Sequence, residues 1–262
     1  MHKAPTPPHQ SATPSHYSQD AQDYDFFNEA NAKFLNEILE QKLRKHPIKA
    51  ILDLSCGTGS QVFFLTKYGY NVIGVDINAE MLNIANNKAN KEKEDFTFIK
   101  GDMRTTQAGS FDAVITMFNA IGHLTIPDFE KTIQNVHKNL KKRGLYLFDI
   151  FNLNYLLEGD NITSFTIDRQ KTTSKERVRE IQYSTIDSNG ILTSHTISST
   201  QKNDNLPEVH KTSQTLQVYT PEQLQVMLKK HGFKVLEQCE IIDWQFKVGT
   251  AARILTVAQK YV

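Results

Sequence analysis

The residues of this chain whose types and spacing could do chemistry are two carboxylates and two glycines. Each carboxylate ends an apolar run, and the glycines follow the first carboxylate. Asp53 ends the apolar run that begins at Ala50, and Gly57 and Gly59 follow in a turn. Glycine takes positive φ and carries no Cβ, so a ligand can lie almost against this backbone. Asp76 ends a second apolar run, about 20 residues after the glycines, where such folds hydrogen-bond a ribose. These residues predict a nucleoside-binding α/β domain.

The spacing of the glycines distinguishes between nucleoside ligands. A dinucleotide fingerprint, G-x-G-x-x-G, needs glycine at the positions of Ser55 and Ser60, so the turn that receives a pyrophosphate is missing and NAD is disfavoured. The remaining pattern, Asp53-x-x-x-Gly57-x-Gly59, resembles the first motif of the class I S-adenosylmethionine-dependent methyltransferases, which usually have glycine where this chain has Ser55. The resemblance implies S-adenosylmethionine as the cofactor.

The resemblance continues along the chain in register. The segments that resemble the third, fourth and fifth strands of the family and its closing strand pair are Phe96–Met103, Phe111–Met117, Gly144–Asp149, Gly232–Leu236 and Ala252–Ala258. Apolar residues at helical spacing between the strands favour a parallel sheet with helices on both faces. The implied fold is α/β, with a Rossmann-like, seven-stranded, doubly wound sheet.

The resemblance also implies a set of cofactor-binding residues. Asp76 is expected to bind the ribose hydroxyls, Asp102 the adenine amine, and Asp53 either the glycine loop or the methionine ammonium. The backbone of Met103 is expected to face the adenine ring. The full set comprises Tyr17, Tyr24, Asp53, Ser55, Gly57, Asp76, Ile77, Asp102, Met103 and Met117.

A tyrosine-aspartate segment, His16–Asp25, resembles the lead segment that folds over the cofactor in related families. Tyr17 and Tyr24 could cover the sulfonium, since cations favour aromatic faces. They could equally anchor the segment on the core, with apolar bodies buried and hydroxyls in water. The sequence leaves both interpretations open.

The loop after the fourth strand, Met117–Leu124, resembles the acceptor loop of glycine N-methyltransferases and sugar-amine N,N-dimethyltransferases. The resemblance makes Asn119, His123 and Tyr24 the catalytic candidates, with Asn119 orienting the acceptor. His123 is either a proton acceptor or a structural hydrogen-bond donor. Phe151 stands where the glycine enzymes carry an arginine, so it is expected to face the acceptor and to disfavour a free carboxylate.

Residues 155–215 interrupt the alternation of strands and helices. This stretch is rich in hydroxyl side chains, and Asn189-Gly190 between two β-prone segments predicts a hairpin. We therefore expect an inserted antiparallel β subdomain that serves as a substrate lid or a homodimer contact. The expected domains are a disordered tail (1–15), a methyltransferase domain (16–154 and 216–262) and the insertion (155–215).

Composition narrows the partners and the compartment. The 262 residues carry a net charge of +1 without a basic block, which argues against nucleic acid. The apolar runs are too short for a membrane span, and two cysteines give neither a disulfide framework nor metal-ligand spacing. The expectation is a cytoplasmic protein with a small-molecule substrate and without a metal, a nucleic acid partner or a membrane.

The predicted reaction is methyl transfer from S-adenosylmethionine to a small-molecule acceptor, with an amine nitrogen favoured. Positioning alone can supply on the order of 7 to 11 kcal/mol, so an obligatory general base is not required. Two alternatives stay open: methylation of a hydroxyl oxygen in the same fold, and a module that binds S-adenosylmethionine without turnover.

Overall fold

The computed structural model describes residues 8–15, 24–92, 95–158, 167–173, 176–203, 205–241 and 253–261. The helices are α1 (Tyr24–Leu43), α2 (Ser60–Lys67), α3 (Ala79–Ala89), a 3-10 helix (Ala120–His123), α4 (Ile126–Asn139), α5 (Leu153–Leu157) and α6 (Pro221–Lys230). The strands are β1 (Ala50–Asp53), β2 (Asn71–Asp76), β3 (Thr97–Lys100), β4 (Phe111–Thr116), β5 (Leu140–Phe151), β6 (Ile167–Thr172), β7 (Glu176–Ile186), β8 (Ile191–Lys202), β9 (Glu208–Gln217), β10 (Phe233–Ile241) and β11 (Arg253–Lys260).

Seven of these strands form one sheet in the order β10-β11-β5-β4-β1-β2-β3. The five strands from β5 to β3 in this order pair in parallel, whereas β11 is antiparallel to both β5 and β10. Because β4 and β2 lie on opposite sides of β1, the chain reverses direction across the sheet at β1. Ligands bind at such a point, beyond the carboxyl ends of the strands. The predicted seven-stranded, Rossmann-like sheet is confirmed.

Helices cover both faces of this sheet, as its alternating buried side chains require. On one face, Phe129 and Ile133 of α4 and Leu224 of α6 pack in one cluster with Phe148 of β5. On the other face, helices α1, α2 and α3 form a second cluster with the side chains of the same strands that point the opposite way. The sheet is therefore doubly wound, and its carboxyl edge stays accessible between the two helical layers.

Strands β6–β9 form a separate four-stranded antiparallel sheet. Its central hairpin turns at Gly190, which has φ +78°. The Asp187 carboxylate accepts the backbone N–H groups of Asn189 and Ile191 and so stabilises the turn. The predicted Asn189-Gly190 hairpin is confirmed. Leu192 of β8 packs in a small buried cluster with Phe151, which joins this sheet to the end of β5.

Within the span 1–15, for which the sequence predicted a disordered tail, residues 9, 11 and 12 make hydrogen bonds to the core. The backbone N–H of Ala12 donates to the carbonyl oxygen of His123 at 2.8 Å, and the Ser11 hydroxyl donates to Asp128 at 2.7 Å. The predicted domain boundaries stay a prediction. Within the described parts of the chain, no helix combines the length and apolar character that crossing a membrane requires.

Candidate cofactor and acceptor site

The glycine loop joins β1 to α2 and has the positive φ values that its glycines permit: +52° at Gly57 and +88° at Gly59. A Cβ at Gly59 would lie 2.7 Å from the Phe63 ring. At Gly57 a Cβ would meet no described atom within 4 Å, so the backbone there borders open space. A side chain at position 57 would therefore extend into the cavity described below, and a side chain at position 59 would clash with Phe63.

Asp76, at the end of β2, is fixed by backbone donors from both sides. One carboxylate oxygen accepts the N–H of Gly57 at 2.8 Å, and the other accepts the N–H of Asn78 at 2.8 Å. The Asn78 side chain in turn caps α3 by accepting the N–H of Met81 at 3.0 Å. Burial raises the pKa of Asp76, although the backbone hydrogen bonds oppose it. The carboxylate thus joins two neighbouring loops at the carboxyl edge.

Asp53 lies beneath the glycine loop and is fully buried. One of its oxygens accepts the N–H of Ser55 at 3.2 Å, while its Oδ2 and the Ser55 hydroxyl have no hydrogen-bond partner among the described residues. Burial raises the pKa of Asp53 to about 8, and the nearby Asp76 charge adds to this rise. Two buried polar atoms beside the loop therefore lack a partner among the described residues, and of the two residues Ser55 lines the cavity described below.

A cavity of about 570 Å³ opens at this edge of the sheet. Its wall combines the glycine loop with residues that follow β2, β3 and β4, with the first helix, and with the segment near the amino terminus. The lining residues used below are Ala12, Thr13, Tyr24, Asp25, Ser55, Gly57, Thr58, Asp76, Ile77, Met81, Lys88, Met103, Met117, Phe118, Ala120 and His123. Because β2 and β4 flank β1, the residues after β2 and those after β4 lie on opposite sides of the glycine loop.

Most of the predicted site residues that the structure describes meet at this cavity. Those that line it are Tyr24, Ser55, Gly57, Asp76, Ile77, Met103, Met117 and His123. Three other predicted residues, Asp53, Asp102 and Asn119, are not part of its wall. Tyr17 lies outside the described residues.

Asp102 differs from its predicted orientation toward an adenine amine. The Arg104 side chain donates to both of its carboxylate oxygens, at 2.5 to 3.0 Å, and also to Asp128 at 2.7 Å. Burial raises the pKa of Asp102, but the Arg104 hydrogen bonds outweigh it and the pKa is lowered. Arg104 therefore bridges the Asp102 and Asp128 carboxylates, and Asp102 is not part of the cavity wall.

The loop after β4 has a conformation that few side chains adopt. Phe118 and Asn119 have φ values of 63° and 57°, in the left-handed region. Phe118 lines the cavity, whereas the buried Asn119 has a side-chain oxygen without a hydrogen-bond partner among the described residues. Asp149, at the end of β5, accepts the backbone N–H of Phe118 at 2.6 Å and that of Asn119. A buried carboxylate therefore holds the loop in this conformation.

Phe151 was expected to face the acceptor, but it packs away from the cavity wall. It lies in the cluster that joins the inserted sheet to β5, and the Arg253 guanidinium lies 5.0 Å from its ring centroid. Arg253 also donates to Asp149 at 3.2 Å and is only 10% exposed. The antiparallel pairing of β5 with β11 places Arg253 opposite Phe151, which the order of residues along the chain could not show.

A second polar group on the wall was not predicted. Asp25 of α1 accepts the Thr58 hydroxyl at 2.6 Å and pairs with Lys88 of α3 at 2.5 Å. Lys88 also donates to the Thr58 carbonyl oxygen at 3.1 Å. The group connects two helices to the glycine loop. Thr58 lies within the glycine motif and Asp25 ends the tyrosine-aspartate segment, but the sequence did not predict their contact, and Lys88 carries no local sequence signal.

Comparison with known proteins agrees with this architecture. Residues 51–144 match the family described as methyltransferase domain. The protein YqeM of Bacillus subtilis (strain 168) is 38% identical over 103 residues, which cover 38% of this chain and 41% of that protein. The glycine/sarcosine N-methyltransferase of Parasynechococcus marenigrum (strain WH8102) is 30% identical over 138 residues, which cover 50% of this chain and 48% of that enzyme. The chain spans about half the length, or less, of these curated relatives.

A solved structure extends the likeness to the whole fold. The S-adenosylmethionine-bound structure of CalS10, an amino pentose methyltransferase from Micromonospora echinaspora, aligns with a TM-score of 0.68. The alignment covers 99% of this chain and 100% of that one at 16% identity, so it shows the fold alone. The chain is therefore similar to S-adenosylmethionine-dependent methyltransferases in its fold, in its glycine loop and over residues 51–144.

The residues present fit S-adenosylmethionine. Gly57 leaves open space where any Cβ would intrude, and Ser55, which lines the cavity, has a hydroxyl without a partner among the described residues. Each Asp76 oxygen accepts at least one backbone N–H, and a carboxylate oxygen has room for a further donor. Asp76 would hold the ribose, Met103 would border the adenine, and the glycine loop would hold the methionine part.

Proposed function

We propose that the protein transfers a methyl group from S-adenosylmethionine to an amine nitrogen of a small molecule. One observation carries the proposal: a single cavity is lined both by Asp76 and Gly57 and by His123 in the loop after β4. Residues predicted to bind the cofactor and an imidazole predicted to face the acceptor therefore line the same cavity. Methyl transfer needs this arrangement, because donor and acceptor must meet away from water.

S-adenosylmethionine, when bound, supplies an activated methyl group on a sulfonium. The chain must then hold an acceptor lone pair in line with that methyl and keep water away from it. Met117, Phe118 and Ala120 border the cavity after β4 and present mainly apolar surface. His123 is the titratable side chain on that segment, so it is the group proposed to accept a proton from an ammonium acceptor.

The charged side chains of the cavity wall also limit which amine can be the methyl acceptor. None of the described residues that line the cavity is an arginine, so a free carboxylate has no bidentate partner there. Three lysines do line it: Lys88 is engaged by Asp25, whereas Lys33 and Lys67 are exposed to solvent. A carboxylate buried without a partner is costly. We therefore propose an amine with an apolar or neutral body, and we expect glycine and sarcosine to be poor acceptors.

A methylation assay tests the proposed function. Purified protein is incubated with S-adenosylmethionine and a panel of matched amines and alcohols, and S-adenosylhomocysteine and methylated products are quantified by mass spectrometry. The Gly57→Val variant is the control, because its side chain fills the space beside the loop and should abolish cofactor binding. Products methylated at nitrogen support the proposal. Products methylated only at oxygen favour the hydroxyl alternative, and cofactor binding without product favours a binding module.

Two further expectations are part of the proposal. The protein is proposed to act in the cytoplasm, where its free cysteines, Cys56 and Cys239, would stay reduced. It is also proposed to form a homodimer through the four-stranded sheet, whose strand β8 is only half-buried along most of its length. Light scattering coupled to gel filtration measures the dimer directly, and a monomer at micromolar concentration would contradict it.

A further inference from the structure

Residues 8–13, here called the strap, are fixed to the core at several points. His9 donates through Nε2 to the carbonyl oxygen of Leu124 at 3.0 Å, and its Nδ1 lies 2.9 Å from the Thr215 hydroxyl. The Ser11 hydroxyl donates to Asp128 at 2.7 Å. It also accepts the backbone N–H of Thr125 at 3.0 Å, at the N-cap of α4.

These anchors connect three parts of the molecule. Thr215 belongs to β9 of the inserted sheet, Thr125 and Asp128 to the start of α4, and Leu124 to the loop after β4. The hydrogen bond from the Ala12 N–H to the His123 carbonyl oxygen adds a fourth contact. The strap is therefore held by side-chain and backbone hydrogen bonds together.

The place of the strap relative to the cavity suggests a role. Ala12 and Thr13 line the cavity, and Ala12 is bonded to the backbone of His123, on the β4 side of the glycine loop. The Asp76 carboxylate follows β2, on the opposite side of β1. The strap therefore borders the acceptor part of the cavity and not the part assigned to the nucleoside.

We propose that the strap is a wall of the acceptor pocket and that Ala12 is a specificity-determining residue that limits the bulk of the amine beside His123. This inference rests on the proposed function. The Ala12 side chain is a single half-buried methyl group, so it leaves room that a larger residue would fill. Together with Met117 and Ala120 it gives that region an apolar surface, which suits a compact alkyl or aryl amine.

The test enlarges Ala12 and compares acceptors of different size. Ala12→Val and Ala12→Leu introduce progressively larger apolar side chains. The matched control is Gln10→Leu, at an exposed strap position outside the cavity wall. S-adenosylmethionine affinity is measured by calorimetry, and kcat/KM is measured for a series of primary amines of increasing bulk. A second readout, independent of turnover, is the Tm shift that each amine causes in the presence of S-adenosylhomocysteine.

If Ala12 is part of the pocket wall, kcat/KM should fall more for bulky amines than for small ones, and more in Ala12→Leu than in Ala12→Val. In Ala12→Leu, kcat/KM for the bulkiest amines should fall at least tenfold relative to the smallest, with a smaller loss in Ala12→Val. The S-adenosylmethionine affinity of the Ala12 variants should stay within twofold of that of the unaltered protein. Gln10→Leu should match the unaltered protein in both affinity and kcat/KM. An equal loss for all amines, or none, in a folded Ala12→Val variant overturns the proposal.

The two readouts separate this inference from the proposed function. If the unaltered protein methylates no amine, the proposed function fails. The wall is then judged by the Tm shifts alone, and a size-dependent loss of amine binding in the Ala12 variants still supports it. If amines are methylated but Ala12→Leu treats small and bulky ones alike, the wall fails and the proposed function stands.

Discussion

The Asp149 carboxylate accepts the backbone N–H of Phe118 at 2.6 Å, which joins the buried end of β5 to the left-handed loop that borders the cavity. The same carboxylate pairs with Arg253, which is almost fully buried. Burial raises the pKa of Asp149, and the Arg253 charge and the backbone donors oppose that rise. The loop conformation and a buried ion pair therefore depend on one side chain.

Replacing Asp149 by alanine should destabilise the fold severely. It leaves the Arg253 guanidinium buried without its carboxylate, a change that typically costs about 3 to 5 kcal/mol. It also releases the positive-φ loop. Urea unfolding should show a fall in unfolding free energy of this order. The control is Asp168→Ala, which removes an Asp–Arg pair with Arg179 on the exposed face of the inserted sheet and should change stability little. Equal losses in the two variants would contradict the assigned role of burial.

Stability should fall as pH rises through neutrality because of Asp53. The carboxyl group holds its proton up to about pH 8 in the folded protein, whereas in the unfolded chain it ionises near pH 3.8. The folded state therefore binds more protons between these values, and raising pH favours unfolding. Relative to Asp53→Asn, the unaltered protein should lose about 3 to 4 kcal/mol of unfolding free energy between pH 5 and 8. Parallel stability curves for the two proteins would show that the carboxyl group does not titrate in this range.

The parts of the site that the sequence predicted are those where a local pattern follows from the fold. A buried parallel strand is apolar along its length and ends at the ligand edge, so Asp53 and Asp76 could be placed from the residues that precede them. The glycine turn and the Asn189-Gly190 hairpin are visible for the same reason, since their backbone conformations favour particular residue types.

Contacts between distant segments could not be predicted in this way. Arg253 meets Phe151 and Asp149 only through the antiparallel pairing of β11 with β5. The orientation of Asp102 depends on Arg104 and on Asp128, whose position is set by α4. The strap lacks apolar periodicity and is ordered by individual hydrogen bonds, which leave no pattern along the chain.

Asp76→Ala should weaken S-adenosylmethionine binding at least tenfold. The variant loses the proposed ribose contacts, each worth about 1.5 to 3 kcal/mol for a charged acceptor, and it also frees the Gly57 N–H. Titration calorimetry measures the affinity, and circular dichroism checks the fold. Asp95→Ala, an exposed carboxylate just before β3, should bind the cofactor normally. Unchanged affinity in a folded Asp76→Ala variant would refute the ribose assignment.

Gln214 of the inserted sheet should influence the acceptor reaction through His123. Its side-chain Nε2 lies 3.4 Å from His123 Nδ1, so it helps set the imidazole tautomer. In Gln214→Leu we expect kcat/KM for the amine to fall several-fold and its pH profile to shift, with cofactor affinity unchanged. Gln201→Leu, on the neighbouring strand β8, is the control. A fall in kcat/KM without any change in pH profile would indicate a purely structural effect.

The ion pair between Asp25 and Lys88 should make cofactor affinity sensitive to salt. Both side chains line the cavity, and both contact Thr58, so the pair holds the start of α1 against the glycine loop. Asp25 and Lys88 are 40% and 35% exposed, which lets dissolved ions screen their attraction. Raising the ionic strength from about 0.05 to 0.5 M should therefore weaken S-adenosylmethionine binding more in the unaltered protein than in Asp25→Asn. This variant keeps an acceptor for the Thr58 hydroxyl but loses the charge.

Lys88→Gln should reduce the salt dependence of cofactor affinity to the same degree. The double variant should add little to either single change, because all three variants remove the same interaction. Lys91→Gln, an exposed lysine just beyond the end of α3, should leave the salt dependence as it is. Additive losses in the double variant, or salt dependences that match the unaltered protein in both single variants, would show that the pair does not support the cofactor site.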